Sequence, residues 1–314
     1  MKKLCAFVCG VFLLCAAGLA SAADGGARKS MLPANRYKLI DSFEVKGRQG
    51  VAVDDMFYYV SGSKALYKYD KKGNLVASNE KPFEGYAIPS NHIGDIDVYN
   101  GEIFVSAEWF EDGVGKDIQI AIHDAKTLKF KRTFKFEPES GQEEVSGICV
   151  DRDKRSVWMS CWAIGKESGA LKGYSDRYLY EYSLDSGKFL RKVHLAPSPQ
   201  WIQGVYYYKG ALYVTADDGE ADDDAPDHLY RVDIKSDVNY ATVVMEKAFT
   251  EIKRQGEIEG LAFDEKADEL LVHFNRGARI ILGMPKGFYP DYTREISEVY
   301  RFKVKPAGKK DKKD

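Results

Sequence analysis

Residues 49–54 read QGVAVD, and nearly the same phrase returns far along the chain as EGLAFD at residues 259–264. Looser copies stand at residues 94–98 (GDIDV), 146–151 (SGICVD) and 203–207 (QGVYY). Each copy places a glycine before alternating apolar residues, and the five glycines lie 44, 53, 57 and 56 residues apart. Recurrence at such a period is typical of repeat architectures.

Each copy is followed by further short runs with strand character. A second run comes directly after it, as in residues 57–60 (FYYV) and 270–273 (LLVH). A third carries alternating aromatic residues, as in residues 66–70 (LYKYD) and 178–182 (YLYEY), and a fourth follows after a turn. No long stretch has the 3.6-residue period of an amphipathic helix. Four short strands per repeat predict an all-β fold, a β-propeller.

The N-terminal strand is predicted to complete the last repeat. The fifth repeat lacks a fourth strand, whereas residues 37–45 (YKLIDSFEV) have strand character and belong to no repeat. We expect this segment to supply the missing outer strand, which removes a free sheet edge. Five repeats over residues 36–305 average 54 residues each, so the sequence predicts a five-bladed β-propeller closed by an N-terminal strand. Six blades, the alternative, would need 45 residues each.

The first 22 residues read as a Sec-type signal peptide. Lys2 and Lys3 form a basic start, residues 4–19 are apolar, and residues 20–22 (ASA) resemble a cleavage site. We therefore predict a periplasmic or secreted protein cleaved near Ala22.

Residues 23–35 form a predicted N-terminal linker, and residues 306–314 a charged tail predicted to be disordered. Loss of the two leader lysines takes the formal net charge from −2 to about −4, which disfavours nucleic acid and anionic membranes as partners. No later segment approaches about 18 consecutive apolar residues, so no membrane span is predicted. A hydrophobic content of 44% excludes wholesale disorder.

Two cysteines remain after the leader, Cys149 and Cys161. They are placed on neighbouring strands of one hairpin, in a compartment that permits oxidation. A simple register sets Cys149 opposite residue 158 or 159. The sequence leaves two alternatives, a disulfide or two buried thiols.

Function is predicted at one rim of the propeller, where the loops between second and third strands are long in four of five repeats. These loops are residues 109–116, 163–177, 217–227 and 276–295. Starts of inner strands and ends of second strands meet at this rim and would form a polar, small-molecule type of pocket. The residues predicted to bind a ligand are Gln49, His92, Asp95, Trp109, Glu144, Trp162, Gln203 and Arg276.

Oxygen-bearing side chains at the same rim would suit a hard divalent cation such as Ca²⁺. The predicted ligands are Glu108, Asp217, Glu259 and Asn275. The acidic run at residues 217–224 is either a solvated loop or a second cation site. Zinc is disfavoured, because no histidine pair has short ligand spacing and the cysteines form no CxxC motif.

The repeat phrases at residues 49–54 and 259–264, each followed by a short strand, resemble the gluconolactonase/regucalcin and NHL-type propeller superfamily. The resemblance covers nearly all of the mature chain as a repeat pattern. It implies a divalent metal at the top of the channel, with Glu259, Asn275 and Asp217 in the positions of its ligands, and lactonase activity. That family has six blades, whereas five repeats are counted here.

Three functions follow from these observations, and the sequence leaves open whether the protein is an enzyme. The leading prediction is binding of a small molecule or peptide at the channel mouth, with or without a divalent cation. The rival is a metal-dependent hydrolase of lactones or esters, and the third is a protein–protein scaffold. No G-x-S-x-G motif, P-loop or G-x-G-x-x-G motif is present.

Overall fold

The computed structural model describes residues 36–111, 114–135, 137–162, 175–234, 238–252, 255–277 and 292–305. These residues form twenty β-strands and three single 3₁₀ turns, at Pro138–Ser140, Ser175–Arg177 and Ala221–Asp223. The all-β prediction is therefore confirmed. The predicted leader (residues 1–22), linker (residues 23–35) and tail (residues 306–314) lie outside the described residues. Within the described ranges, no helix has the length and hydrophobicity to cross a membrane.

The strands form four sheets. Sheet I contains β2 (Val51–Val53), β3 (Phe57–Gly62), β4 (Ala65–Asp70) and β5 (Leu75–Asn79). Sheet II contains β6 (His92–Tyr99), β7 (Glu102–Glu111), β8 (Val114–Asp124) and β9 (Phe130–Lys135). Sheet III contains β10 (Ile148–Asp151), β11 (Ser156–Met159), β12 (Tyr178–Ser183), β13 (Phe189–Ala196), β14 (Ile202–Tyr208), β15 (Ala211–Ala216), β16 (His228–Ile234) and β17 (Tyr240–Ala248). Sheet IV contains β18 (Gln255–Asp264), β19 (Glu269–Gly277), β20 (Glu295–Val304) and β1 (Tyr37–Glu44).

Sheet III has eight strands because two antiparallel meanders are joined at their outer edges. The order is β10-β11-β12-β13-β17-β16-β15-β14. The joint between β13 and β17 is parallel and short, running from His194 opposite Tyr240 to Ala196 opposite Thr242. All other strand pairs in the four sheets are antiparallel.

The N-terminal strand lies where the sequence predicts it, on the outer edge of the last sheet. β1 pairs antiparallel with β20, from Tyr37 opposite Val304 to Glu44 opposite Glu298. Glu246, whose side chain is fully buried, accepts hydrogen bonds from Arg36 and from the Tyr37 hydroxyl. β1 is thus held both by its sheet and by a buried carboxylate on β17.

The innermost strands pack beside one another in chain order. β2 contacts β6, β6 contacts β10, β10 contacts β14, β14 contacts β18, and β18 contacts β2. This arrangement of inner strands is that of a β-propeller. The apolar cores lie between facing meanders, as where the Phe263 ring stacks on Tyr208 at 4.1 Å and packs against Tyr213. Burial of such an aromatic side chain contributes about 1.5–3 kcal/mol.

Two local predictions have clear outcomes. Residues 109–116 are predicted as a long loop, which is wrong: β7 and β8 continue as a paired hairpin, with Trp109 opposite Lys116. β8 (Val114–Asp124) is the third strand of this sheet, for which no third run is predicted from the sequence. Cys149 lies opposite Trp158, as the simple register predicts. Cys149 and Cys161 are both free and buried thiols, so the disulfide alternative does not hold.

Candidate functional site

The repeated glycines bring the inner strands into close contact at their common axis. A Cβ atom built on Gly260 would lie 2.7 Å from the Gly50 Cα and 2.2 Å from Asp95 Oδ1. A Cβ on Gly204 would lie 2.7 Å from the Gly260 Cα. Real Cβ atoms do not approach other atoms so closely, so a residue without a side chain is required here. The glycine in the repeat phrase therefore serves backbone packing at the axis. The five residues are Gly50, Gly94, Gly147, Gly204 and Gly260.

Asp95 lies among these glycines. Its Oδ1 accepts the Ile96 N–H at 2.8 Å and its Oδ2 accepts the Val205 N–H at 3.4 Å. Burial raises the pKa of this carboxyl well above its usual range. Asp95, predicted as a ligand-binding residue, thus links two inner strands at the axis. Whether it also meets a ligand stays a prediction.

A second polar layer bridges neighbouring meanders. One residue on four of the second strands, and one directly after β11, forms this layer: Ser61, Ser106, Thr215 and His273, and Ser160. The Ser61 hydroxyl accepts the Gly50 N–H and donates to the Gly94 carbonyl, both at 2.8 Å. Thr215 donates to the Glu259 carbonyl at 2.6 Å, and His273 Nδ1 lies 2.8 Å from the Gln49 carbonyl oxygen. Since these groups are buried, each contact satisfies backbone that water does not reach.

Several predicted site residues surround one small cavity near the starts of the inner strands. The cavity measures about 30 Å³. Its lining comprises Gln49, His92, Phe110, Glu144, Ser146, Trp162, Gln203 and Glu257. Five of the eight residues predicted to bind a ligand are therefore brought together. We call this space the axial cavity.

On one side of the axial cavity, His92 contacts a buried carboxyl. His92 Nδ1 lies 3.3 Å from Glu108 Oε1, and Glu108 Oε2 accepts the Val145 N–H at 3.0 Å. The Glu108 side chain is fully buried, which raises its pKa to about 8. Burial lowers the pKa of His92 to about 4, which favours the neutral imidazole.

Glu144 adds a second carboxyl beside this pair. Its Oε2 accepts the backbone N–H of Trp162 at 2.5 Å. Burial, and then the charge of Glu108, raise the pKa of Glu144 well above its usual range. A like-charge pair in a buried site favours a shared proton or a bound cation over two carboxylates.

On the other side of the axial cavity, Gln203 holds Glu257. The Gln203 amide Nε2 donates to Glu257 Oε1 at 2.9 Å, and Arg48 Nη2 lies 3.8 Å from Glu257 Oε2. Glu259, nearby on β18, is fully buried, and its pKa is raised first by burial and then by the charge of Glu257. Arg48 offsets part of the negative charge on this side.

The four residues predicted to hold a cation fall into two groups. Asn275 Nδ2 donates to Glu259 Oε1 at 2.7 Å, and its Oδ1 accepts the Ser297 hydroxyl at 2.7 Å. The charge of Asp217 contributes to the raised pKa of Glu259, so Asp217 belongs with Glu259 and Asn275. Glu108 instead contacts His92. In the described ranges, no three His, Cys, Asp or Glu side chains converge as a metal site. In this arrangement Asn275 turns its amide nitrogen to Glu259, which does not fit joint cation ligation; Ca²⁺ binding stays a prediction.

Two other predicted residues lie away from the axial cavity lining. Trp109 is on the β7–β8 hairpin. Arg276, on β19, donates from Nε to Glu298 at 2.8 Å and from Nη1 to the Tyr292 hydroxyl at 2.6 Å. Arg276 therefore already serves an ion pair within its own sheet.

Sequence reasoning missed Phe110 and Ser146 in the cavity lining. Register in the β6–β7–β8 sheet shifts between Ala107 and Trp109, which marks an irregularity or bulge. A bulge reverses which of two successive side chains faces a given side, so Phe110 lines the cavity where Trp109 was expected. Ser146 stands in the repeat phrase itself, and its hydroxyl donates to the Ile202 carbonyl at 2.7 Å.

Comparison with known proteins found no matching family model and no matching curated protein. Among solved structures, the chain is similar to the PQQ-bound form of aldose sugar dehydrogenase from Streptomyces coelicolor, with 12% identity, 87% of this chain and 100% of that chain covered, and a TM-score of 0.46. Kuenenia stuttgartiensis hydrazine synthase has 10% identity and a TM-score of 0.42, with 77% of this chain and 60% of that chain covered. The Neurospora crassa Pan2 WD40 domain has 10% identity and a TM-score of 0.38, with 84% and 66% covered. None of these similarities assigns a ligand or a reaction to this chain.

Proposed function

We propose that this chain is an exported five-bladed β-propeller that binds a small molecule or peptide through a polar head group inserted in the axial cavity. The convergence of two glutamates, two glutamines, a neutral histidine and a tryptophan around one cavity supports this proposal. Export rests on the leader, residues 1–22, and is checked by the N-terminal mass of the mature protein.

Dividing sheet III into two blades supports the proposed count of five. β10–β13 and β14–β17 are each a four-stranded antiparallel meander, and only three residue pairs join them. Sheets I, II and IV have four strands each. Five meanders then correspond to five inner strands in successive contact, with β1 completing the last blade.

The size and the lining of the axial cavity indicate which polar group of a ligand would fit there. One water molecule needs about 10–15 Å³ of cavity volume, so the axial cavity, at about 30 Å³, holds one or two small polar groups. The described lining includes Glu144 and Glu257 and contains no lysine or arginine. Carboxyl and amide oxygens with an indole beside them favour an ammonium group or another hydrogen-bond donor. A free peptide N-terminus or an organic amine therefore fits best, and a divalent cation is the second version.

The test is a calorimetric and thermal-shift panel on the full mature chain. It compares primary amines, peptides with free or acetylated N-termini, and Ca²⁺ with and without EDTA. A bound ligand raises the melting temperature by mass action. Glu257→Gln is expected to weaken amine binding about tenfold or more, whereas Glu265→Gln, an exposed glutamate, serves as the matched control. Equal binding by free and acetylated peptides, or by both variants, would contradict the proposal.

A second candidate function is hydrolysis, favoured by one observation. His92 lines the axial cavity as a neutral imidazole beside the Glu108 carboxyl, an arrangement suited to proton transfer. A panel of lactones and esters with added Ca²⁺, Mn²⁺ or Zn²⁺ tests it. Turnover abolished by His92→Asn and Glu259→Gln supports a hydrolase, and absence of turnover across the panel removes it.

A further inference from the structure

A second and larger pocket lies along the connection from β13 to β14, next to the start of β12. Its volume is about 400 Å³, within the range of about 300–1,000 Å³ typical of small-molecule sites. Trp162, Trp201, His194, Pro197 and Pro199 supply much of its wall. Trp162 is the one described lining residue that this pocket shares with the axial cavity. We call it the tryptophan pocket.

The two indoles form a fixed aromatic corner. Their ring centroids lie 4.9 Å apart with an angle of 48° between the planes. Trp201 has a backbone φ of 57°, in the left-handed region that bulky residues rarely adopt. Its carbonyl accepts the Asp217 N–H at 2.9 Å, which helps to hold this conformation. Unfavourable backbone geometry retained at a pocket wall is characteristic of functional sites.

Two buried polar atoms of the wall have no hydrogen-bond partner among the described residues. They are the Trp162 indole Nε1 and the His194 Nδ1. The His194 ring is held in place by Tyr240, stacked at 5.0 Å, and by Tyr178, edge-on at 5.2 Å. A buried donor or acceptor without a partner is costly. Solvent does not reach either atom, so a ligand hydroxyl would bond to them only after a side chain of the wall turns.

We propose that the tryptophan pocket binds a neutral saccharide ring. The C–H face of a sugar ring is attracted to the electron-rich face of an indole. Its hydroxyls donate and accept hydrogen bonds, which suits the Ser198 hydroxyl and the Gln200 amide in the wall. Asp176 and Arg177 in the wall carry opposite charges, so the pocket favours no ionic ligand. This proposal does not depend on the amine site in the axial cavity.

The experiment measures tryptophan fluorescence and calorimetric binding of mono- and disaccharides to the mature chain. At least one neutral saccharide is expected to bind saturably and to change the emission. Trp201→Ala is expected to weaken binding about tenfold or more, because one face of the aromatic corner is lost. Leu190→Ala, an exposed residue outside the pocket lining, should leave the affinity unchanged.

A second variant protects the test against misfolding of Trp201→Ala. Arg177 and Gln200 are exposed wall residues, and the double change Arg177→Ala with Gln200→Ala is expected to weaken saccharide binding several-fold with normal stability. Absence of saturable binding by every saccharide, or affinity unchanged in both pocket variants, would overturn the proposal. Binding of proline-rich peptides in place of saccharides would also overturn it. Glu257→Gln should leave saccharide binding intact, which separates this site from the proposed amine site.

Discussion

Gly260→Ala should measurably strain the centre of the propeller. Gly260 lies on β18, the inner strand of sheet IV. An added Cβ would stand 2.2 Å from Asp95 Oδ1 and 2.7 Å from the Gly50 Cα. Neither atom can move away easily, because Gly50 belongs to the neighbouring inner strand and the Asp95 carboxyl group accepts backbone N–H groups.

The expected cost follows from the kind of atoms that clash. Overpacking a well-packed core typically costs about 1–3 kcal/mol. Here one contact is backbone and the other a buried carboxyl, so we expect the upper end, about 3 kcal/mol. A loss of 1 kcal/mol lowers the melting temperature by about 2–4 °C in domains of 150–250 residues. The variant should therefore melt about 6–12 °C below wild type.

Urea unfolding and calorimetry of the purified variant measure this effect. Gly62→Ala is the matched control, because Gly62 is also buried and a Cβ there would meet nothing closer than 3.6 Å. The control should stay within about 0.5 kcal/mol of wild type or gain slightly. If Gly260→Ala and Gly62→Ala unfold at the same denaturant concentration, the axial role of the repeat glycines is wrong.

Three further outcomes are expected. Burial raises the pKa of Glu108 from 4.5 to about 8, so the folded protein keeps a proton that the unfolded chain releases, and this group's stabilisation is lost as the pH rises through that window. The pKa of His92 is lowered from 6.5 to about 4, so His92 changes the stability only below about pH 6.5. Glu108→Gln should therefore make the free energy of unfolding fall less steeply between about pH 6.5 and pH 8. An unaltered slope would refute this. Thr215→Val should cost about 1–3 kcal/mol in urea unfolding because the Glu259 carbonyl loses its buried donor, whereas Thr215→Ser should retain most of the stability. Glu246→Ala should destabilise the protein by about 3 kcal/mol and speed amide exchange in β1, since Arg36 and Tyr37 lose their common acceptor; unchanged exchange in β1 would argue against that anchor.

The spacing of the repeats was enough to predict most of the fold. The glycine recurs because the inner strands approach one another closely at that position. The same spacing placed Gln49, Glu144 and Gln203 at one end of those strands, where the axial cavity lies. The register shift near Ala107 could not be predicted from the sequence, because a bulge depends on how two strands pair and a single sequence does not show that pairing. The orientation of Asn275 was equally hidden, since it depends on Ser297 from the next strand. The parallel joint between β13 and β17 has no signature in either strand alone.

The position of β1 has a consequence for the order of events during folding. Arg294, just before β20, forms an ion pair with Glu44 at the end of β1, 250 residues away. β1 can therefore pair only when β20, the last described strand along the chain, is available. Contacts so distant along a chain form slowly. An unattached β1 and an unfinished β18–β20 edge would be the segments that chaperones and proteases meet before the molecule is complete.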